Sequence, residues 1–287
     1  MAIDWVMKET TAGRRNGIQW TPLRQLDDLD YADDIALLSH SHQQMQFKTD
    51  ELGRISKTVG LNVHKGKTKI LKIGTDNQNP VSLEGTPLEE VDSFIYLGSI
   101  VDKMGGTDAD VKARIGKART AFTQLRNIWK SGKISLRTKL RLFNSNVKSV
   151  LLYGCETWRT TDTVMRRVQT FINSCLRKIL KVRWQDRIRN DIIWERTNQR
   201  PVAEEIKKRR WRWIGHTLRK PKPCIPREAM QWSPQGERDR KRPRETWQRS
   251  VERDKRQLGM GWGELSKVAQ DRDSWKALVS GLYPDQG

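Results

Sequence analysis

The stretch QLDDLDYADDIALLSHS, residues 25–41, places two adjacent aspartates, Asp33 and Asp34, between two short apolar runs. The flanking runs, around Leu26 to Tyr31 and Ile35 to Leu38, have the composition of strands. Aspartate suits a tight turn between strands, because it tolerates a left-handed backbone and hydrogen-bonds its own main chain. The stretch therefore predicts a β-hairpin with a pair of carboxylates at its turn.

Two interpretations of the carboxylate pair remain open. Carboxylates held close together on a rigid turn suit Mg²⁺, which retains waters and completes its shell with phosphate oxygens. Paired metals of this kind serve in-line nucleotidyl transfer, where they stabilise the attacking and leaving oxygens. The alternative is a merely hydrophilic turn, since aspartate is common there. A calcium loop of the EF-hand type is excluded, because the sequence lacks the required glycine and terminal glutamate.

The overall charge points to a polyanionic partner. The formal net charge is +21 and the isoelectric point is about 10.2, which favours nucleic acid ahead of an anionic membrane surface. No apolar stretch is long enough to span a bilayer, so we expect no membrane partner. Cys155, Cys175 and Cys224 show no zinc-module spacing, with or without His216, and an odd number of cysteines does not indicate a disulfide framework. These features predict an intracellular protein.

Hydrophobic periodicity predicts an α+β fold. A capping-box pattern at Ser41 and Gln44 begins a helix after the hairpin, and the segments LNV (61–63), KILKIG (69–74) and SFIYLGSIV (93–101) are typical of strands. Helical stripes then begin at Val111, Leu136 and Val164 and predict three packed helices. The predicted regions are a mixed helix and strand region over 1–106, a helical region over 107–200, and a basic, tryptophan-containing region over 201–287 with a flexible linker near 220–244.

The third region alternates cations with indoles. Cations neutralise phosphates and indoles stack on unpaired bases, which is how single strands are bound with little sequence preference. The alternative is that the cations are simply solvated and that the tryptophans, Trp213 more than Trp211, pack into the helical core. The candidate nucleic-acid-binding residues are Lys207, Lys208, Arg209, Arg210, Trp211, Arg212, Arg219 and Lys220. A second basic run contains Arg238, Arg240, Lys241, Arg242 and Arg244, and could contact RNA or act as a nuclear address.

The ordered series of motifs resembles the reverse transcriptase of non-LTR (LINE-type) retrotransposons. YADD (31–34) with its flanking residues resembles the metal-binding hairpin of that family, GLNVHKGKTKILKIG (60–74) its lysine-bearing palm motif, and FIYLGSIV (94–101) its primer-grip hairpin. LLYGCETW and RRWRWIGHTLRK are similar to its thumb and C-terminal segments. The resemblance covers nearly the whole chain, and it is most specific in the first third. It implies a partial reverse-transcriptase palm followed by a helical thumb bundle and a basic helical C-terminal region.

The resemblance also implies roles for the hairpin residues. Asp33 and Asp34 match the carboxylates that bind Mg²⁺, with Asp33 the stronger ligand. Tyr31 and Ala32 match the positions that approach the primer end and the incoming nucleotide. We therefore expect catalysis, metal binding and nucleotide binding to involve this one turn.

Roles for two later motifs follow from the same resemblance. Lys67 matches the lysine that protonates or screens the leaving pyrophosphate, where an ammonium offsets developing negative charge. Lys69 is a neighbouring candidate, and the alternative for both lysines is a solvated turn. Tyr96, Leu97 and Gly98 match the primer grip, where close approach of the primer backbone favours glycine.

The family's other catalytic aspartate and its glycine-rich motif have no match in residues 1–24. We therefore expect a fragment of an RNA-directed DNA polymerase with an incomplete two-metal site, inactive alone. The complete enzyme would use an RNA template, a DNA primer or target and deoxynucleoside triphosphates. The alternative is a non-enzymatic, nucleic-acid-binding remnant of such an element. Either protein would be nuclear, with a cytoplasmic ribonucleoprotein stage.

Overall fold

The chain folds into two compact units. The computed structural model describes residues 2–13, 15–21, 24–221, 224–232 and 245–282. Among the described residues, the first unit comprises those within 2–106 together with Trp232, and the second comprises those within 107–231 and 245–282. The division lies between Gly106 and Thr107, where the apolar pattern changes from strand-like to helical. The second unit combines the helical region over 107–200 and the basic region over 201–287, which were expected to be separate. No helix in the described ranges is both long and apolar enough to cross a membrane.

The described residues of the first unit form short strands and two helices. Its helices are α1 (Ala2–Thr11) and α2 (His42–Thr58). Its strands are β1 (Ile18–Thr21), β2 (Arg24–Leu26), β3 (Asp28–Tyr31), β4 (Asp34–Leu37), β5 (Lys69–Ile70), β6 (Ser82–Leu83), β7 (Thr86–Pro87), β8 (Glu89–Glu90), β9 (Ser93–Tyr96) and β10 (Ser99–Asp102). They pair two by two: β1–β2, β3–β4, β6–β7 and β9–β10 are antiparallel, and β5–β8 is parallel.

Apolar contacts between α1 and α2 form one core of this unit. Val6 and Met7 of α1 are buried in the same cluster as Leu52 and Ile55 of α2. A smaller cluster, at the β6–β7 hairpin, contains Val81, Leu83 and Leu88. The helix begins as the capping pattern predicted, because the Ser41 hydroxyl accepts a hydrogen bond from the Gln44 amide at 3.3 Å.

Two strand predictions in this unit were wrong. The Leu61 amide donates to the Ser56 carbonyl at 2.9 Å and so helps to close the end of α2, and residues 61–63 form no strand. Residues 93–101, which their apolar pattern predicted as one strand, fold back as the hairpin β9–β10, as their resemblance to a primer-grip hairpin implied. Its turn residues, Leu97 and Gly98, have φ angles of +48° and +79°, which an uninterrupted strand excludes.

Helices build the second unit. They are α3 (Asp108–Gln124), α4 (Arg126–Lys130), α5 (Leu136–Leu142), a π-helical segment (Phe143–Lys148), α6 (Ser149–Leu151), α7 (Asp162–Leu180), α8 (Asn190–Thr197), α9 (Val202–Arg219), α10 (Ile225–Ala229), α11 (Trp247–Leu258), α12 (Trp262–Val268) and α13 (Arg272–Leu282), with 3₁₀ turns at Cys155–Thr157 and Trp184–Asp186.

The part of this unit that the structure describes contains two hydrophobic clusters. The three predicted stripes meet in the first, in which Val111, Phe143 and Val168 are fully buried. The second lies between α9 and the helices α11 to α13, around Trp211 and Trp275. Helix α10 occupies part of the predicted linker near 220–244, and residues 222–223 and 233–244 of that linker lie outside the described residues.

Candidate active site and basic helix

The hairpin β3–β4 presents both aspartates to solvent. Tyr31 pairs with Asp34 across the two strands, and Ala32 and Asp33 form the turn between them. All four side chains are exposed. The predicted hairpin is confirmed, but its left-handed residue is Ala32, at φ +56°, rather than an aspartate. A left-handed alanine costs about 1 kcal/mol, so the surrounding structure must hold the turn in place.

A buried lysine fixes the base of this hairpin. Lys48 of α2 is only 1% exposed. Its ammonium donates to the carbonyls of Asp27, at 3.0 Å, and Leu38, at 2.7 Å, and it pairs with the Asp27 carboxylate at 2.6 Å. Burial lowers the pKa of Lys48, and the Asp27 carboxylate partly opposes that shift. One side chain thus ties both strands of the hairpin to the helix behind it.

The role of Lys48 was not predicted, although the sequence contains a signal for it. Lys48 lies three residues after Met45 and four before Leu52, on the apolar stripe of α2. A lysine on the buried face of a helix indicates a buried partner, because an unpaired ammonium is too costly to desolvate.

The hairpin β9–β10 lies against the aspartate hairpin. The Tyr96 hydroxyl donates a hydrogen bond to the Leu29 carbonyl of β3 at 3.1 Å. Burial raises the pKa of Tyr96, and the negative charges of Asp30, Asp34 and Asp28 raise it further. Two segments that are separated by 67 residues in sequence therefore meet in one place.

The lysine turn between residues 64 and 69 is shaped by His64, to which sequence analysis assigned no role. The Lys67 amide donates to the His64 carbonyl at 3.0 Å and to its Nδ1 atom at 3.2 Å. Lys69 forms an ion pair with Glu89. Lys67 is exposed, and within the described residues it forms no ion pair with the aspartates of the hairpin. The predicted role of Lys67 at the leaving pyrophosphate is therefore not supported by a contact between this lysine and the hairpin aspartates.

The aspartate turn supplies only part of a metal shell. Within the described ranges, no group of three or more His, Cys, Asp or Glu side chains lies close enough together to hold a metal ion. Asp33 and Asp34 are hard oxygen ligands of the type that Mg²⁺ prefers. They fit a magnesium ion that takes its remaining ligands from water and phosphate, whereas a two-metal centre needs further carboxylates.

Three of the predicted nucleic-acid-binding residues, Lys208, Arg210 and Trp211, are buried, and the assignment of Arg210 and Trp211 is corrected. Trp211 and Arg210 are both 0% exposed. The Trp211 carbonyl accepts a hydrogen bond from the indole of Trp275 at 2.9 Å, and Arg210 donates to the Trp158 carbonyl at 2.7 Å and pairs with Asp254 at 3.6 Å. These side chains cannot reach a nucleic acid, because α9 has neighbours on more than one side.

The expected order of the two tryptophans was also wrong. Trp213, which was expected to be the more buried, is partly exposed and packs edge-on against Trp247, with ring centroids 5.9 Å apart. A core indole and a surface indole two positions apart on one helix look alike in sequence, since both lie among arginines.

The remaining cations of α9 and its C-terminal end differ in their interactions: some form ion pairs or hydrogen bonds, and others line a cavity. Lys207 pairs with Asp254 at 3.0 Å, and Arg219 donates to the Ala269 carbonyl at 3.1 Å. Lys220, at the end of the helix, is partly exposed. Lys208, Arg209 and Arg212 line a polar cavity of about 380 Å³ within the second unit. The second predicted basic run, residues 238–244, lies outside the described residues.

Comparison with known proteins relates this chain to transposon proteins. A family model for a domain of unknown function, DUF6451, matches residues 121–153. A putative uncharacterized transposon-derived protein of Caenorhabditis elegans is 27% identical over 282 residues, which is 89% of this chain and 96% of that protein. A probable RNA-directed DNA polymerase from transposon X-element of Drosophila melanogaster is 23% identical over 194 residues, 62% of this chain but only 20% of the polymerase.

Proposed function

We propose that this chain derives from the reverse transcriptase of a non-LTR retrotransposon and that its first unit carries the aspartate-turn part of the polymerase palm. The observation that carries the proposal is the hydrogen bond from the Tyr96 hydroxyl to the Leu29 carbonyl. This bond joins the aspartate hairpin to the hairpin that resembles a primer grip. The two are 67 residues apart in sequence, so their proximity is not a consequence of chain connectivity. The similarity to a transposon RNA-directed DNA polymerase supports the same origin.

In this proposal the turn binds one Mg²⁺ through Asp33 and Asp34, together with the phosphates of an incoming nucleotide. Tyr31 and Ala32 lie next to the aspartates, where a primer end and a nucleotide would meet. Tyr96, Leu97 and Gly98 would contact the primer strand, and Leu97 and Gly98 form the left-handed turn of the β9–β10 hairpin. Lys67 would screen the charge of pyrophosphate when a bound primer and nucleotide complete the site.

A non-enzymatic role is the second candidate. It is favoured by the lack of any cluster of three or more metal-binding side chains among the described residues. In that case the chain binds nucleic acid through its positive charge, and the carboxylates contribute no chemistry. Both candidates give the protein RNA or DNA as its partner and a nuclear location.

Binding of Mn²⁺, a paramagnetic substitute for Mg²⁺, distinguishes the two candidates. We expect Mn²⁺ to broaden the backbone amide resonances of residues 31–35 in the wild-type chain, and we expect the effect to disappear in a D33N/D34N double variant. Asp76→Asn, which removes an exposed carboxylate from a loop of the same unit, is the control and should leave the broadening unchanged. Broadening that is absent at the hairpin, or that persists in the double variant, would contradict the metal-binding role.

A primer-extension assay with an RNA template, a DNA primer, Mg²⁺ and nucleotides tests the incompleteness of the site. We expect no extension by this chain alone, because two carboxylates do not hold two metals. Robust synthesis that Asp33→Asn abolishes would show a complete polymerase and overturn that part of the proposal.

A further inference from the structure

The polar cavity of the second unit is formed by three segments. The π-helical segment Phe143–Lys148 provides one wall, the loop after α8 a second, and helix α9 a third. Every side chain that lines the cavity is polar or charged. A volume of about 380 Å³ is within the range of small-ligand sites, and the polar lining excludes an apolar ligand.

The charges around this cavity are unequal. Lys148, Arg200, Lys208, Arg209 and Arg212 face two carboxylates, Glu204 and Glu205, so three positive charges remain. Glu205 is already engaged, because it pairs with Lys148 and accepts from Arg209 at 3.0 Å. Glu204 lies 4.0 Å from Arg200. The surplus therefore favours an anion.

Two of the cations are buried, which distinguishes this site from an ordinary basic surface. Lys148 is 7% exposed and Lys208 is 8% exposed. Lys148 is held in place by the Gln199 side chain, whose carbonyl accepts from its ammonium at 2.9 Å. Charges that are removed from water act more strongly on a bound ion than solvated ones, because the effective dielectric is lower.

The wall that carries Lys148 has unusual backbone geometry. The segment Phe143–Lys148 is π-helical, with the longer turn that inserts an extra residue into a helix. Such insertions are rare and are frequent at functional sites. Arg212, on helix α9, lines the same cavity and is exposed to solvent.

We propose that this cavity binds a phosphate group. The chemistry is shared by a free polyphosphate anion and by the backbone of an RNA strand. Lys148 and Lys208 would provide buried charge, and Arg212 and Arg200 would provide the planar guanidinium groups that match phosphate oxygens. The RNA form of this proposal rests on the proposed function, whereas binding of a free anion does not.

The test compares an R200Q/R212Q double variant with the wild-type chain. Neither arginine is buried, so circular dichroism and the thermal midpoint should be unchanged. The matched control is K267Q/R272Q, which removes the same charge from exposed positions of α12 and α13. Binding is measured for inorganic pyrophosphate by calorimetry and for a single-stranded RNA by fluorescence anisotropy.

We expect the double variant to lose at least about tenfold in affinity, because it removes two guanidinium groups that would form charge-assisted hydrogen bonds to phosphate, and we expect the control to stay within about twofold. Loss of pyrophosphate binding identifies a free-anion site, and loss of RNA binding alone identifies a backbone site. Equal losses in the double variant and the control would show only a general charge effect and would overturn the proposal. Failure of the wild-type chain to bind RNA would count against the proposed function, whereas undiminished binding by the double variant would count against this cavity alone.

Discussion

Lys48 is the residue on which the geometry of the aspartate hairpin most depends. From a buried position it donates hydrogen bonds to Asp27 and Leu38, which flank the two strands, and it forms an ion pair with the Asp27 carboxylate. An ammonium is costly to bury, so its position indicates that the hydrogen bonds compensate that cost. Lys48 acts on the site through the backbone that it holds, and in the proposed polymerase it is a positioning residue.

Replacing Lys48 with methionine should destabilise the first unit by about 3 kcal/mol, because the Asp27 carboxylate would lose its buried partner. Urea unfolding, followed by a probe in the first unit, measures this change. The control is Lys8→Met, which removes an exposed lysine 3.1 Å from Asp4 in the same unit and should cost less than about 1 kcal/mol. Similar effects of the two variants would contradict the anchoring role of Lys48.

Residue identity predicted the hairpin better than it predicted the backbone of the turn. The adjacent aspartates indicated a turn, and Asp33 and Asp34 lie there. The left-handed residue is Ala32, which no propensity favours, since alanine gains nothing from that conformation. Contacts from outside the hairpin reach its base, through Lys48, and strand β3, through Tyr96, so the position of the strands that the turn joins is set by tertiary contacts and not by local preference.

Helix α9 is the element in which sequence and structure differ most. The pattern of cations and indoles predicted an exposed binding surface, yet Trp211 and Arg210 are in the interior of the second unit. Gly215 shows how closely α9 meets α13: a Cβ atom at this position would overlap the indole of Trp275. An arginine in an amphipathic pattern is predicted to be exposed only if the helix has a single buried face. Helix α9 packs against several neighbouring elements, so arginines on more than one of its faces can be buried.

Gly215→Ala should therefore destabilise the second unit, by about 1–3 kcal/mol, because the core around Trp275 is overpacked. In an open helix the same exchange stabilises by about 0.5–1 kcal/mol, since alanine is the better helix former. Gly116→Ala in α3, where a Cβ atom would meet no atom within 4 Å, is the matched control and should be stabilising. Thermal unfolding of both variants measures whether each change raises or lowers stability. Stabilisation by Gly215→Ala would contradict the close contact between α9 and Trp275.

The whole molecule carries a net charge of +21, which no local feature accounts for. Many of its cations form ion pairs or hydrogen bonds within the fold, as Lys207 and Arg219 do. A net charge of this size still produces a positive potential that attracts polyanions over a distance set by the salt concentration. Nucleic-acid binding is therefore expected of the chain as a whole, whichever of the two proposed functions applies.

The affinity of the full chain for a single-stranded RNA should fall by more than about tenfold between about 50 and 200 mM salt. The reason is that cations of the protein displace counterions from the RNA phosphates, and this release becomes less favourable as the salt concentration rises. Fluorescence anisotropy at a series of salt concentrations measures the slope. A peptide nucleic acid of the same sequence carries the bases without phosphates and should bind weakly at every salt concentration. Binding to RNA that does not respond to salt, or that cannot be detected, would count against both candidate functions.

Sequence alone was sufficient to predict the hairpin at residues 31–34, the helix that begins after Ser41 and the three helical stripes, because these depend on local periodicity and turn chemistry. The polyanionic partner that the total charge indicates stays a prediction. Only the tertiary structure could bring Tyr96 to Leu29, bury Lys48 and Trp211, and assemble the cationic cavity from the π-helical segment, the loop after α8 and helix α9. Those features depend on which faces of distant segments meet. Burial of a polar or aromatic side chain is settled by the sum of such contacts, and a linear pattern contains no record of them.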